Sequence, residues 1–155
     1  MAAGLHINDA GTWRAISNIY VNDAGTWRTI QNIYANDNGT WRLVYTALTA
    51  TAAGTAPLVK AANSTNITSN NITATPVGGS GSYTYAWSIV THDDPDSTPT
   101  INNSTSVTCT VTTNDNPALQ RTINVTARCT VTDAVSGATA QTNTVTITHE
   151  HNDGV

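Results

Sequence analysis

The chain has 155 residues, only 10% of them charged, and its six Lys and Arg against ten Asp and Glu leave a net charge of −4. So few cations argue against nucleic-acid binding, which needs Lys and Arg to neutralise phosphates. No apolar run approaches the roughly 20 residues of a membrane-spanning helix, and Met1 to Gly11 lacks the basic-then-apolar layout of a signal peptide. Thr (30) and Asn (17) supply nearly a third of the chain, while helix formers are scarce, with one Glu, one Lys and one Met. Thr and Val favour strands, so the composition predicts an all-β protein.

The first third repeats itself. Leu5 to Asn18, Ile19 to Asn32 and Ile33 to Thr46 align as three 14-residue blocks without a gap, with Asn, Asp, Gly, Thr, Trp and Arg identical in all three. A period this short fits one β-hairpin, and the alternation in Ile19-Tyr20-Val21 and again in Thr26 to Ile30 is strand behaviour. Between the strands, Asp23 and Ala24 suit the right-handed positions of a type I turn and Gly25 the left-handed position that closes a three-residue loop. Gly11 and Gly39 are its equivalents. The expectation is six short strands over residues 1–47, forming an anchoring or oligomerisation unit. Trp13, Trp27 and Trp41 would be related by a pseudo-threefold or stacked along a ribbon. Arg14, Arg28 and Arg42 would lie on the opposite face, paired with Asp9, Asp23 and Asp37. Two readings of the Trp residues stand side by side. They form the packing core of the repeat, or they line three equivalent pockets that stack a sugar or a cation. A β-unit of this size is too small to fold alone and is expected to dock on its own copies or on another protein.

The segment Asp37-Asn38-Gly39-Thr40-Trp41 resembles the turn-plus-Trp element of choline-binding repeats of cell-wall lytic enzymes. Those repeats are longer, at about 20 residues, and open on a Gly-Trp pair that is missing here. The blocks ending in Trp13-Arg14, Trp27-Arg28 and Trp41-Arg42 more closely resemble a tandem hairpin repeat of tailed-phage structural proteins, which commonly stands beside Ig-like domains.

Residues 48–56 are small and uncharged and read as a linker. From Pro57 onward, seven strand patterns follow one another at Leu58–Ala62, Asn66–Pro76, Tyr83–Val90, Thr98–Ile101, Ser106–Thr112, Thr122–Thr132 and Thr139–Thr148. Loops rich in Gly, Asn, Asp and Pro separate them, which predicts an Ig-like β-sandwich over residues 57–150 and a tail over 151–155. Inward positions are expected at Val107, Cys109 and Val111, at Ile123, Val125, Ala127, Cys129 and Val131, and at Val145 and Ile147, with Thr on the outer faces. Gly79 to Trp87, Arg128 to Asp133 and Thr142 to Ile147 together resemble Ig-like or PKD-like domains of phage virion and bacterial surface proteins. That resemblance implies that Trp87 is the core Trp of the third strand and that Cys129 lies on the sixth. Both Cys109 and Cys129 follow the Trp, unlike the antibody arrangement. They face inward from opposite sheets, either as a cross-core disulfide or as two buried thiols.

Candidate chemistry is sparse. The expected topology gathers His92, Asp93, Asp94, Asp96, Asn114, Asp115, Asn116, His149, Glu150, His151 and Asp153 at one pole. Oxygen-rich loops of this kind hold Ca²⁺ in other proteins, and His149 and His151, two apart on a strand, project from one side as a metal pair would. Solvated loops and a solvated chain end are the simpler reading, so no metal and no cofactor is expected. The single Glu, and the lack of a nucleophile elbow, a phosphate-binding Gly loop and a metalloprotease His–Glu helix, argue against catalysis. Seven Asn-x-Ser/Thr sequons are what 17 Asn and 30 Thr give by chance, and no glycosylation is read from them.

The two resemblances together imply a non-enzymatic structural protein of a tailed-phage particle, either decorating or cementing the capsid or associated with the tail. It would be located in the virion after assembly in the host cytoplasm. The repeat would anchor it to other virion proteins as a homo-oligomer, and the sandwich would stand exposed, with at most weak contact to a host-surface glycan. The alternatives are a carbohydrate-binding or adhesive module using the repeat Trp residues, or a spacer domain of a bacterial surface protein.

Overall fold

A computed structural model describes residues 6–16, 18–54, 58–62, 66–114 and 120–152. The chain is all-β: sixteen strands and no helix among the described residues.

The three repeats form three separate two-stranded antiparallel sheets: β1 (His6–Asp9) with β2 (Thr12–Ala15), β3 (Tyr20–Asp23) with β4 (Thr26–Thr29), and β5 (Asn32–Asp37) with β6 (Thr40–Thr46). In each, the last residue of the first strand faces the first of the second, as in Asp23↔Thr26, so the loop is two residues long. Its two residues both have positive φ: Ala10 and Gly11 at 48° and 89°, Ala24 and Gly25 at 49° and 90°, Asn38 and Gly39 at 51° and 86°. This is a type I′ turn, not the expected three-residue loop. Its handedness follows the right-handed strand twist, which a type I turn would oppose.

The remaining strands make a two-sheet sandwich. One sheet runs β12 (Thr100–Asn102), β13 (Thr108–Asn114), β10 (Ile72–Val77), β7 (Thr49–Gly54), with β9 (Asn66–Thr68) also pairing with β13. The other runs β11 (Tyr83–His92), β14 (Arg121–Asp133), β16 (Val145–Asn152), β8 (Leu58–Ala62), with β15 (Thr139–Gln141) alongside β14. The pair β8–β16 is parallel and every other pair is antiparallel. This is the strand arrangement of an Ig-like sandwich.

Several sequence-based boundaries change. The strands expected over Asn66–Pro76 and Thr139–Thr148 are each split in two, as β9 with β10 and β15 with β16. The expected linker contains β7, which pairs with β10 along its whole length and buries Ala52. Its Ala and Thr residues read as a spacer because small side chains suffice where two sheets meet closely. The expected tail begins inside β16, where His151 is buried. Val107, expected inward, is 43% exposed because β13 starts one residue later.

The core lies between the sheets. Ile123, Val125, Ala127, Cys129 and Val131 of β14 are all fully buried, and Ile72, Ala74, Cys109, Val111, Trp87 and Ile147 pack with them. Trp87, opposite Cys129 in the ladder, donates its indole N–H to Ser106 O at 2.9 Å. Cys109 and Cys129 are free thiols. Burial pushes the Cys109 thiol up to about 12, with Cys129 adding to the shift, and burial raises Cys129 as well. Protonated thiols of this kind are inert packing groups.

Candidate functional site

The identical residues of the repeat build one device three times. The Asn8, Asn22 and Asn36 side-chain oxygens accept the backbone N–H of Gly11, Gly25 and Gly39 at 2.8, 2.8 and 2.9 Å. That contact satisfies a donor which a two-residue turn leaves outside the ladder. Arg14–Asp9, Arg28–Asp23 and Arg42–Asp37 pair through Nε at 3.2, 3.0 and 3.1 Å, on solvent-exposed side chains. These pairs match the sequence expectation. They fix the turn geometry more than they stabilise the fold, because exposed ion pairs contribute little.

The Trp residues depart from the packing reading. Trp13, Trp27 and Trp41 are 69%, 69% and 68% exposed. Each stands across the strand pair from the capping Asn, on the face opposite the Arg–Asp pair. Tyr20 shares that face with Trp27, and Tyr34 and Leu43 share it with Trp41, and all three are more than half exposed. Ile7 and Val21 are exposed on the other face. A hairpin is one layer thick, so neither face is covered unless something packs on it, and the three hairpins share no ladder.

The arm joins the sandwich through the third hairpin. Gly79 N–H donates to Thr46 O at 3.0 Å, and Gly78, at φ 84°, lies so close to the Thr46 and Ala47 carbonyls that no Cβ fits there. Beside this junction lies a half-open hollow of about 330 Å³, walled by Leu43, Val44, Tyr45, Leu48, Tyr83 and Val135. Burial raises the Tyr45 hydroxyl pKa, with Tyr20 adding to the shift. At the rim is Asp133, a residue the sequence reading left without a role. Its carboxylate accepts from Ser80 N–H and the Ser80 hydroxyl, and from Val135 and Ser136 N–H at 2.9 and 2.8 Å. Burial works to raise its pKa, but these hydrogen bonds outweigh it and hold the group at about 2. With its oxygens engaged this way, Asp133 organises two loops and presents no general base to the hollow.

Among the described residues of the proposed pole, the carboxylates are engaged by protein donors and no metal cluster forms. Asp93 accepts from Asn124 N–H and its side-chain amide, Asp94 accepts from Asp96 N–H, Ser97 N–H and the Ser97 hydroxyl, and Asp96 pairs with Arg121. His149 and His151 do project from one side, but inward. Both are buried, with Thr113 Oγ1 2.6 Å from His149 Nδ1 and 3.2 Å from His151 Nε2. A hydroxyl has one proton to give, so it donates to one ring at most and accepts from the other. His149 Nε2 is buried with no hydrogen-bond partner among the described residues. Burial, with His151 second, pushes the His149 pKa down to about 4. Among the described residues no three His, Cys, Asp or Glu side chains converge; Asp115, Asn116 and Asp153 lie outside them.

No protein-family model matches the chain, and no curated protein and no solved structure matches it significantly. The candidate functional surface is the Trp-bearing face of the hairpin arm.

Proposed function

We propose that the chain is a non-enzymatic structural protein of a tailed-phage particle, in which the hairpin arm anchors to virion proteins and the Ig-like sandwich projects. The observation that carries this reading is the threefold exposure of Trp13, Trp27 and Trp41 on hairpins that have no core of their own. A rigid aromatic costs little side-chain entropy to immobilise, and aromatics of this kind concentrate at protein interfaces. The sandwich spends its buried polar groups on its own loops and strand ends, which suits a spacer or decoration. The resemblance of the repeat and of the sandwich to phage structural modules supports placing both in a capsid decoration or tail-associated protein.

The second reading is a carbohydrate-binding module, favoured by the same exposure, since an open Trp face is also a sugar-stacking platform. Purified phage particles decide between them. The structural reading expects the chain in particles at fixed stoichiometry, with antibodies against the sandwich labelling them intact. Particles lacking the chain, together with glycan-array binding that Trp27→Ala abolishes, would establish the second reading instead.

A further inference from the structure

We infer that the surface covering the Trp faces belongs to further copies of this chain, arm against arm, so that the anchoring unit is a homo-oligomer of hairpins. This rests on the arm being the docking element, and it names the partner.

Three observations lead to identical copies. The first is periodicity. The arm offers the same feature three times at a 14-residue interval, each with one Asn-capped turn, one Asp–Arg pair and one outward Trp. An unrelated partner would have to repeat a complementary feature three times at that spacing, whereas a second copy does so by construction.

Charge is the second. Residues 1–47 hold three Asp and three Arg and are neutral, whereas residues 48–155 hold seven acidic and three basic residues. All of the −4 net charge therefore lies in the sandwich half. Neutral arms bring no mutual repulsion to an interface, while the acidic sandwiches of neighbouring copies repel and splay outward. A basic partner would find no net countercharge on the arm.

The third is area and free edges. Trp, Tyr and their like bury roughly 150–250 Å² each when covered, so the exposed parts of Trp13, Trp27, Trp41, Tyr20 and Tyr34 offer roughly 600 Å². Leu43, on the same face, extends this toward the roughly 800 Å² that each partner contributes to a stable complex. In the ladders of the described residues, β1 to β6 each pair on one side only. The outer edges of β3 and β4 of the second hairpin thus offer ladder positions for strand addition by an equivalent hairpin, whereas β6 is engaged at Thr46 by Gly79.

Sedimentation velocity of the full chain tests this directly, read together with acrylamide quenching of its four Trp residues. Self-association predicts a mass that is a multiple of 16.2 kDa and protection of more Trp fluorescence than buried Trp87 accounts for. Replacing Trp13, Trp27 and Trp41 by Lys together should return the mass to one chain while the cooperative unfolding of the sandwich persists. Trp27→Lys alone, which disturbs one hairpin, should raise the dissociation constant at least tenfold. A wild-type chain that sediments as a monomer up to the highest soluble concentration, with three Trp residues open to quencher, overturns the inference. So does a triple variant that keeps the wild-type mass. Monomeric chains recovered from phage particles would remove self-association and leave the structural role standing, whereas oligomers absent from particles would do the reverse.

Discussion

Ala10, Ala24 and Asn38 occupy the same turn position at φ near 50°, and the three copies do not bear it equally. A left-handed conformation brings an L-residue's Cβ against the following carbonyl, at about 1–2 kcal/mol, and Asn relieves part of that by local hydrogen bonding. The third repeat therefore carries the favoured Asn-Gly pair and the first two carry a strained Ala-Gly. We expect Ala24→Asn to stabilise the second hairpin by about 0.5–1 kcal/mol, seen as slower amide exchange at Thr26, with no change at Thr40. Equal Thr26 exchange in the wild-type and Ala24→Asn chains would mean that the turn is not formed as described. The glycines of this turn were legible, because a positive φ is what Gly supplies. The turn type was not, since Asp-Ala-Gly also fits a type I loop with a following left-handed Gly. What decides it is the Asp23↔Thr26 register, together with an Asn22 side chain that holds the Gly25 N–H.

At the scale of the strand, period-two alternation was legible wherever apolar residues carried it, and it continues where polar residues take over. Inward positions of β13 run Cys109, Val111, Thr113; those of β14 end on Val131 and Asp133; those of β16 run through Ile147 to His149 and His151. Each series looked finished when its last apolar residue passed, because the polar residues are stabilised by partners far along the chain. Thr113 lies 36 residues before His149, and Ser80 lies 53 before Asp133. The edge strand β7 was missed for a related reason. Its outer side meets the single side chain of Asn143, which accepts from Ala52 N–H at 2.9 Å and donates to Ala52 O at 3.0 Å. That amide imitates one rung of a neighbouring strand 91 residues away in sequence. Asn143→Ala should leave both Ala52 groups to water and cost about 1–2 kcal/mol. Exchange at Ala52 should accelerate while β14 amides keep the protection of the global fold. A variant with unchanged Ala52 exchange would show that ladder bonding to β10 alone holds the strand.

For the molecule as a whole, two buried groups with lowered pKa values, His149 and Asp133, give stability a definite dependence on pH, and the signs follow from which state holds the proton. His149 has its pKa lowered from 6.5 to about 4, chiefly by burial. A charged ring would carry two N–H donors, and its Nε2 has no acceptor among the described residues. Below pH 6.5 the unfolded chain takes up a proton that the folded chain refuses, so stability falls as pH drops from 6.5 toward 4. The full loss is about 3 kcal/mol for this one group. Asp133, lowered from 3.8 to about 2 by hydrogen bonds that outweigh its burial, adds a second decline between those values, worth about 2 kcal/mol. Denaturant titrations at intervals from pH 7.5 to 2.5 should therefore show two successive steps. His149→Gln, which keeps a polar group near Thr113 and removes the titration, should flatten the first step and preserve the second. Asp133→Asn should do the converse, from a lower starting stability. A free energy of unfolding that stays level between pH 7 and 4.5 would mean that solvent reaches the His149 ring. The sandwich would then be open at the end where β8, β13 and β16 come together, and the closed layer seen there would not be the state in solution.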